Sequence, residues 1–516
     1  MIDTVDSLLT VRASAAKDAI VDPVDRISYA ELDAETRFLA TSFVTAGVGK
    51  GSHVGLVMPN GVSWVRTALA LLRIGAVLVP LSTLLAPREL VSQLRVAGVR
   101  HLVAVDEFRG HRYLDALRAE LSAPGLGEGP VCLENLPALR DVWHPDSLPA
   151  SGDADTADAL AASVDPSDDM VVMFTSGSSG TPKGVKHSHG SALGAVRASL
   201  QPRCIDSDTR LYLPMPFFWV GGFGGGVLSA LLAGATLVTE PIPTPESTLR
   251  LLERERVTLF RGWPDQAEAL ARQADSADLS ALRQGSLEAL LPPAQRAAPG
   301  ARARLFGMTE SFGPYCGFAA DTDMPASAHG SCGKPFAGME VRVVDVDTRE
   351  PVETGRVGEL QVRGPHTLRG ICRRAREEIF TEDGYYPTGD LGHLDADGFM
   401  FYHGRTDDMF KVSGATVYPS EVEAGIRTLD DVDAAFVTNV PGPTGDRVGA
   451  LVVCAPSLTT EALTTAARNV LSAYKVPTVW LLARSRDAVP RGTTGKVDIS
   501  RLRDMLLTAT TDGETR

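Results

Sequence analysis

The stretch Phe174-Thr-Ser-Gly-Ser-Ser-Gly-Thr-Pro-Lys-Gly-Val185 constrains this chain more than any other. It follows an apolar run, Met170-Val-Val-Met173, that reads as a buried strand ending where polar chemistry begins. Five hydroxyl side chains, three glycines and a lysine then fall within ten residues. Glycines let the backbone approach a ligand closely, hydroxyls and N–H groups donate to phosphate oxygens, and the lysine adds a cation. The segment is suited to a polyphosphate, yet it is not a Walker A loop. That pattern needs G-x-x-x-x-G-K-[ST], and counting from Gly177 puts Pro182 at the second glycine and Gly184 after the lysine. A flexible Ser/Gly linker is the competing reading. It is disfavoured because a linker rarely follows a buried strand directly and runs through Pro-Lys-Gly-Val into a new element.

The surrounding pattern is layered α/β. Ser52–Met58 reads as a strand, Val62–Ile74 as a helix and Gly75–Pro80 as the next strand, and the rhythm returns at Leu102–Asp106. Residues 145–169, rich in Pro, Ser, Asp and Ala, read as a surface connection. Ala235–Thr239 and Pro245–Arg256 continue the strand and helix alternation. From about 328 to 404 the runs are short and alternating (Val341–Asp345, Gly358–Arg363, Phe399–Tyr402), which suggests a small antiparallel or barrel-like sheet. After Gly404-Arg405 comes a domain-sized tail, with a helix from Glu421, strands at Ala434–Asn439 and Val448–Cys454, and a helix over Glu461–Tyr474. The expected division is residues 1–404 and 405–516.

Composition narrows the function classes. A formal net charge of −14 disfavours nucleic acid or an anionic membrane surface as partner. No run reaches the length of a membrane span, and the N-terminus lacks a signal-peptide pattern. Six cysteines, at 132, 204, 316, 332, 372 and 454, show no C-x-x-C spacing, which fits reduced thiols and a cytoplasmic location.

Four more segments carry chemistry. Phe306-Gly-Met-Thr-Glu-Ser311 offers an aromatic to stack on a base, a hydroxyl for phosphate and a carboxylate for Mg²⁺. In Tyr386-Pro-Thr-Gly-Asp-Leu-Gly392 a loop aspartate is available to ribose hydroxyls. Gly404-Arg-Thr-Asp-Asp-Met-Phe-Lys-Val-Ser-Gly414, followed by Tyr418-Pro-Ser-Glu-Val-Glu423, is the third; Pro490-Arg-Gly-Thr-Thr-Gly-Lys-Val497 is the fourth. Each alone is a common surface or turn sequence, but all five in this order are not.

Together they resemble the ANL superfamily of adenylate-forming enzymes, which includes acyl- and aryl-CoA synthetases, peptide-synthetase adenylation domains and firefly luciferases. The resemblance runs from Ile27-Ser-Tyr-Ala-Glu-Leu32 to Lys496 and is nearest to the bacterial acyl- and aryl-CoA synthetase branch. It implies a large N-terminal domain of layered α/β subdomains plus a small β-barrel-like subdomain, and then a small mobile α+β C-terminal domain. It also implies that Thr175, Ser176, Gly177, Ser178, Ser179, Gly180, Thr181 and Lys183 hold the ATP phosphates. Phe306 and Gly307 flank the adenine, opposite a wall formed by Gly285, Ser286 and Leu287. Thr309 contacts phosphate, and Glu310 helps bind Mg²⁺. Asp390, Tyr402 and Arg405 bind the ribose and its neighbourhood. Phe218, Trp219, Gly221, Met308 and Phe312 line the acid pocket. Asp407 is the hinge, Lys411 and Gly414 line a thiol tunnel, and Lys496 bridges the acid and the α-phosphate. The implied reaction is adenylation of a small acid and transfer to a thiol, with coenzyme A as the acceptor or, alternatively, a separate carrier protein, since no carrier domain follows residue 516.

Two departures bear on the acid. In Pro214-Met-Pro-Phe-Phe-Trp-Val-Gly-Gly222, Trp219 stands where many CoA ligases have histidine, and tryptophan cannot accept a hydrogen bond. Gly285-Ser-Leu-Glu-Ala-Leu290 replaces a G-G-A-P-like turn. Trp219 is therefore either a core aromatic or a pocket wall. Some relatives resemble enzymes that activate nitrite for delivery to an aryl amine, which is a rival reaction. A degenerate nucleotide sensor is the non-enzyme rival, disfavoured because no position expected to be catalytic is missing. His187-Ser-His189 invites a metal-pair reading, but no acidic or cysteine cluster accompanies it.

Overall fold

Helix Val62–Arg73 is buried at ten of its twelve positions, leaving Ser63 and Arg66 half-buried on one face. Its one charged core residue, Arg73, is only 2% exposed and is fully compensated. Its Nε donates to Asp6 at 2.7 Å, Nη1 to the Asp33 carbonyl and Thr36 hydroxyl, and Nη2 to the Asp33 carboxylate. The computed structural model describes residues 3–148, 152, 154–175, 183–406, 408–412, 415–442, 446–492 and 497–513. These fall into two units. The first comprises Met1–Val341, Val362–Tyr386 and Gly398–Met400.

Two sheets make up most of this unit. The larger has seven strands in the order Gly370–Ile371, Lys183–Ser188, Asp169–Thr175, Val77–Pro80, His53–Val57, His101–Ala104 and Asp141–Trp143. It is parallel from Asp169–Thr175 onward, and Lys183–Ser188 is antiparallel to both of its neighbours. The second sheet has five strands in the order Leu259–Phe260, Arg210–Tyr212, Thr236–Val238, Asp18–Val21 and Arg26–Ser28. One apolar core draws on both sheets, joining Leu56, Leu78 and Met170 to Ile20, Leu211 and Leu237. This is the α/β layering expected from the sequence.

The second unit gathers Arg342–Gln361, Pro387–Asp397 and Phe401–Arg516. Most of a four-stranded sheet lies here, in the order Glu340–Val344, Gly358–Arg363, Tyr386–Leu394 and Met400–Arg405, with Tyr386 itself counted in the first unit. In the tail, Val432–Val440 pairs antiparallel with Arg447–Cys454, which runs parallel to Val479–Ala483. Helices Pro419–Ile426 and Thr460–Val470 cover one face through Val422, Ile426 and Leu463, and Ile499–Gly513 covers the other through Leu502 and Leu506. No helix among the described residues is long and apolar enough to cross a membrane.

Two local expectations are corrected. The connection over 145–169 contains a helix, Ala154–Ala162, that buries Ala157 and Ala161 and pairs Asp158 with Arg37 at 3.1 Å. Alanine is the best helix former, so a run rich in it folds once a neighbouring helix covers its small face. Helix Glu461–Tyr474 ends earlier, at Val470, and a short 3₁₀ turn, Ala473–Lys475, follows.

Close packing also sustains an irregular helix over 220–233. Val220–Gly222 opens it, Phe223–Leu228 winds as a π-helix, and Ser229–Ala233 closes it. Glycine disfavours a helix, so packing must hold this one together. A Cβ on Gly222 would sit 2.1 Å from the Pro216 carbonyl oxygen, and one on Gly226 would lie 2.9 Å from Leu213. At Gly225 the nearest atom would be the Arg203 guanidinium, at an ordinary 3.5 Å. Gly222→Ala should therefore lower stability by roughly 2–3 kcal/mol through overpacking, while Gly225→Ala should stay within about 1 kcal/mol of the parent. Thermal melting of both variants checks this; equal melting temperatures would contradict the close approach at Gly222.

Candidate active site

Thr175 and Lys183 face each other across the antiparallel pair of strands 169–175 and 183–188. The Ser/Gly segment is thus the connection of a hairpin. Ser176, Gly177, Ser178, Ser179, Gly180 and Thr181 lie outside the described residues. Lys183 closes the hairpin and reaches a carboxylate: its Nζ lies 2.5 Å from Glu310 Oε1 and donates to the Tyr386 hydroxyl at 2.7 Å. Tyr386 in turn donates to the same Glu310 oxygen at 3.1 Å. Glu310 is 9% exposed. Burial pushes its carboxyl up, but the Lys183 ammonium and the hydrogen bonds it receives outweigh this and hold it below its ordinary value. It is therefore an ionised oxygen donor in a protected place.

Glu310 comes from a tight hairpin. Strands Phe306–Met308 and Gly313–Gly317 pair antiparallel, joined by the 3₁₀ turn Thr309–Ser311. The Ser311 hydroxyl donates to the carbonyls of Met308 and Gly313, locking the turn. At Gly307 a Cβ would lie 2.1 Å from the Gly313 carbonyl oxygen, so glycine alone fits there. Phe306 is half-buried, edge-on to Tyr315 at 5.8 Å. Thr309 is held through its backbone, because His187 Nε2 donates to its carbonyl at 2.7 Å.

The segment before the glycine-rich helix is clamped by Asn60. Its amide donates to the Met215 carbonyl at 2.9 Å and its oxygen accepts from the Phe217 N–H at 2.8 Å. Phe217 enters the core, 0% exposed, and Phe218 is 6% exposed. Trp219 does not join the core; it is half-buried, edge-on to Phe218 at 5.5 Å and to Trp263 at 6.3 Å. Gly221 is half-buried on the next turn. Met308 is half-buried, whereas Phe312 packs fully inside against His187 at 5.0 Å and Phe223 at 6.2 Å. Gly285 turns with φ +92°, and the Ser286 hydroxyl accepts from the Phe260 N–H at 3.1 Å. The Ser286 side chain thus serves the strand end, and Leu287 leans on the neighbouring apolar cluster.

In the second unit, Asp390 lies within the nine-residue strand Tyr386–Leu394, not in a loop. Thr-Gly-Asp reads locally as a turn, but pairing on both edges of the strand overrides that preference. Asp390 accepts from Arg405 Nη1 at 3.0 Å, and the same nitrogen donates to the Thr388 carbonyl at 2.9 Å. Gly389 at φ +72° makes room, since a Cβ there would sit 2.8 Å from the Arg405 guanidinium. Tyr402 is exposed on the strand that ends at Arg405. Lys411 belongs to strand Phe410–Val412. Asp407, Gly414 and Lys496 lie outside the described residues.

Tyr386 could not be picked out from sequence, although its segment was singled out for Asp390. An aromatic hydroxyl between a lysine and a carboxylate is a tertiary fact with no local pattern. His187 and His189 are both engaged, His189 accepting from the Val5 N–H at 3.3 Å through Nδ1.

The sequence matches the family model described as AMP-binding enzyme over residues 10–372. It is 30% identical over 506 residues to a methyl-dioxo-octahydro-indenyl-propanoyl:CoA ligase of Rhodococcus jostii, covering 94% of this chain and 95% of that protein. It is also 30% identical to the 3-hydroxybenzoate–CoA ligase of an Aromatoleum species, with 95% and 94% covered. Among solved structures it resembles ATP-bound MatB from Rhodopseudomonas palustris, with a TM-score of 0.78, 23% identity, and 98% and 99% of the two chains covered.

Burial lowers both histidines to about 4, and they stay neutral in the folded protein. The unfolded chain takes up protons near its ordinary histidine value, whereas the folded one resists until about pH 4. Stability is therefore fully present above about 6.5 and is lost as pH falls toward 4, on the order of 3 kcal/mol per histidine. Denaturant unfolding across that range should show the slope, and His189→Asn should flatten it; an unchanged slope would contradict neutral burial.

Proposed function

The chain belongs to the AMP-binding enzyme family, and from that premise we propose that it is an ATP-dependent acid–thiol ligase. It adenylates a small carboxylic acid with release of pyrophosphate and passes the acyl group to a thiol, that of coenzyme A. The observation that carries this reading is the buried, ionised Glu310 held by Lys183 at the end of the Ser/Gly hairpin. Coenzyme A as acceptor is supported by the two relatives named above, both of them CoA ligases.

In this reading residues 175–183 hold the phosphates. Phe306 faces the adenine, with the backbone of Gly285–Leu287 opposite. Asp390, oriented by Arg405, takes the ribose hydroxyls. Glu310 fits Mg²⁺, which prefers ionised oxygen ligands and needs only one or two from the protein. Bound there, Mg²⁺ offsets negative charge on the phosphate oxygens. The acid carboxylate attacks the α-phosphorus, the bond to pyrophosphate breaks, and a thiolate then displaces AMP from the acyl carbon. The first step brings two anions together, so a cation is needed beside them; Lys496 is assigned to that place. Residues 405–516 act as the mobile domain and turn about Asp407 between the two steps, bringing Lys411 and Gly414 to the thiol.

Pyrophosphate release with fatty acids, aryl acids and nitrite, each with and without coenzyme A, tests the reading. Release with nitrite alone would overturn it. Lys496→Ala should slow adenylation by on the order of 3–4 kcal/mol while sparing thioester formation from supplied acyl-AMP. Equal loss in both half-reactions would count against the division of labour. Asp407→Pro fixes φ at the proposed hinge and should do the reverse, leaving adenylation and blocking transfer.

A further inference from the structure

Buried Arg73 is paired with the carboxylates of Asp6 and Asp33. Arg203 and Arg261 have no carboxylate partner among the described residues. Arg203 is 5% exposed. Its Nη1 donates to the Ser229 hydroxyl at 2.7 Å and its Nη2 to the Gly225 carbonyl at 2.5 Å. Arg261, half-buried, donates from Nη2 to the Arg203 carbonyl at 2.9 Å, and its buried Nε has no acceptor among the described residues. Neither forms an ion pair among those residues; Asp321, which is exposed, acts on Arg261 only as a neighbouring charge, and burial keeps the Cys204 thiol protonated. Burial, with Arg261 beside it, pushes Arg203 down to about 9, and burial pushes Arg261 to about 10. Both stay charged at neutral pH, so the depression reflects how poorly two adjacent cations are compensated by carbonyls and one hydroxyl.

Their surroundings are those assigned to the acid. Arg203 grips Gly225 of the glycine-rich helix that Trp219 precedes. Arg261 stands two residues before Trp263, whose ring meets Trp219. Arg203 also precedes Cys204, whose sulfur would lie 3.4 Å from a Cβ on Gly285. An uncompensated pair of guanidiniums at an acid pocket lacks an anion that the ligand is able to bring, and planar guanidinium forks match carboxylate oxygens.

We propose that Arg203 and Arg261 form the seat for a second carboxylate on the substrate, so that the acid activated here is a dicarboxylic acid, held at one end by the arginines and adenylated at the other. The proposal rests on the ligase reading of the same site. A purely structural role, holding Gly225 and the loop at 203, would treat all acids alike.

The test is pyrophosphate release from straight-chain dicarboxylic acids of increasing length, each beside its monomethyl ester, which removes one charge and leaves one reactive carboxylate. The diacid of best length should exceed its half-ester in kcat/KM by on the order of a hundredfold, as a site built for a polar group rejects the analogue lacking it. Arg261→Gln should remove most of that preference, lowering the diacid rate far more than the half-ester rate, and Arg261→Lys should restore part of it. Diacid, but not half-ester, should raise the melting temperature of the parent enzyme, a reading that needs no variant. Equal rates for diacid and half-ester, or a loss in Arg261→Gln shared by both, would overturn the anion seat and leave the ligase reading standing. Pyrophosphate release with no acid at all would overturn both.

Discussion

A carboxylate kept ionised inside the protein dictates much of the first unit. Glu310 is stable there only because a cation and a hydroxyl reach it from two distant parts of the chain. Losing Lys183 leaves a buried charge uncompensated, which costs several kcal/mol, whereas losing the Tyr386 hydroxyl removes one hydrogen bond to that charge, about 1.5–3 kcal/mol. The requirement fixes the relation of three segments: the hairpin over 169–188, the hairpin over 306–317, and the start of the strand at Tyr386. Side chains two and four apart along a strand share a face, so Lys183 and His187 both lie on one side of strand 183–188. They hold successive residues of the same turn, one at the Glu310 carboxylate and the other at the Thr309 carbonyl. The contacts proposed to serve phosphate chemistry are thus also ones that hold this part of the fold together.

Much of the architecture was legible in the sequence wherever the signal was local. Strand His53–Val57 and helix Val62–Arg73 fall within a residue of their expected bounds, because alternation and continuous apolarity are properties of short windows. The strands Val432–Val440 and Arg447–Cys454 are legible in the same way, though their antiparallel pairing is not. Helix Ala154–Ala162 lies in a stretch that looks like a surface connection in sequence, because its small apolar face becomes one only beside another helix. Asp390 was read as a loop residue for the related reason that sheet pairing outweighed a turn-forming tripeptide.

At the candidate site the division is sharper. Lys183, Glu310, Phe306 and Asp390 belong to motifs, and a motif is visible in one dimension. Tyr386, Arg203 and Arg261 gain their meaning from partners gained or missing in three dimensions. A sequence shows that an arginine is present but never whether a carboxylate stands near it. Arg73 and Arg203 look alike in a linear reading, and only the interior separates the cation paired with carboxylates from the one met, among the described residues, by a hydroxyl and a carbonyl.

Asn60 carries a consequence for how the protein responds to heat. It sits on the turn after strand His53–Val57 of the seven-stranded sheet, yet both ends of its amide grip the segment leading to Trp219. The wall beside Trp219 is therefore anchored to the same sheet that carries the hairpin of Lys183. Softening of either one alone costs the two hydrogen bonds of that amide, so the two tend to loosen together on warming. Heat that loosens the largest sheet would then also disturb the segment beside Trp219, far from it in sequence.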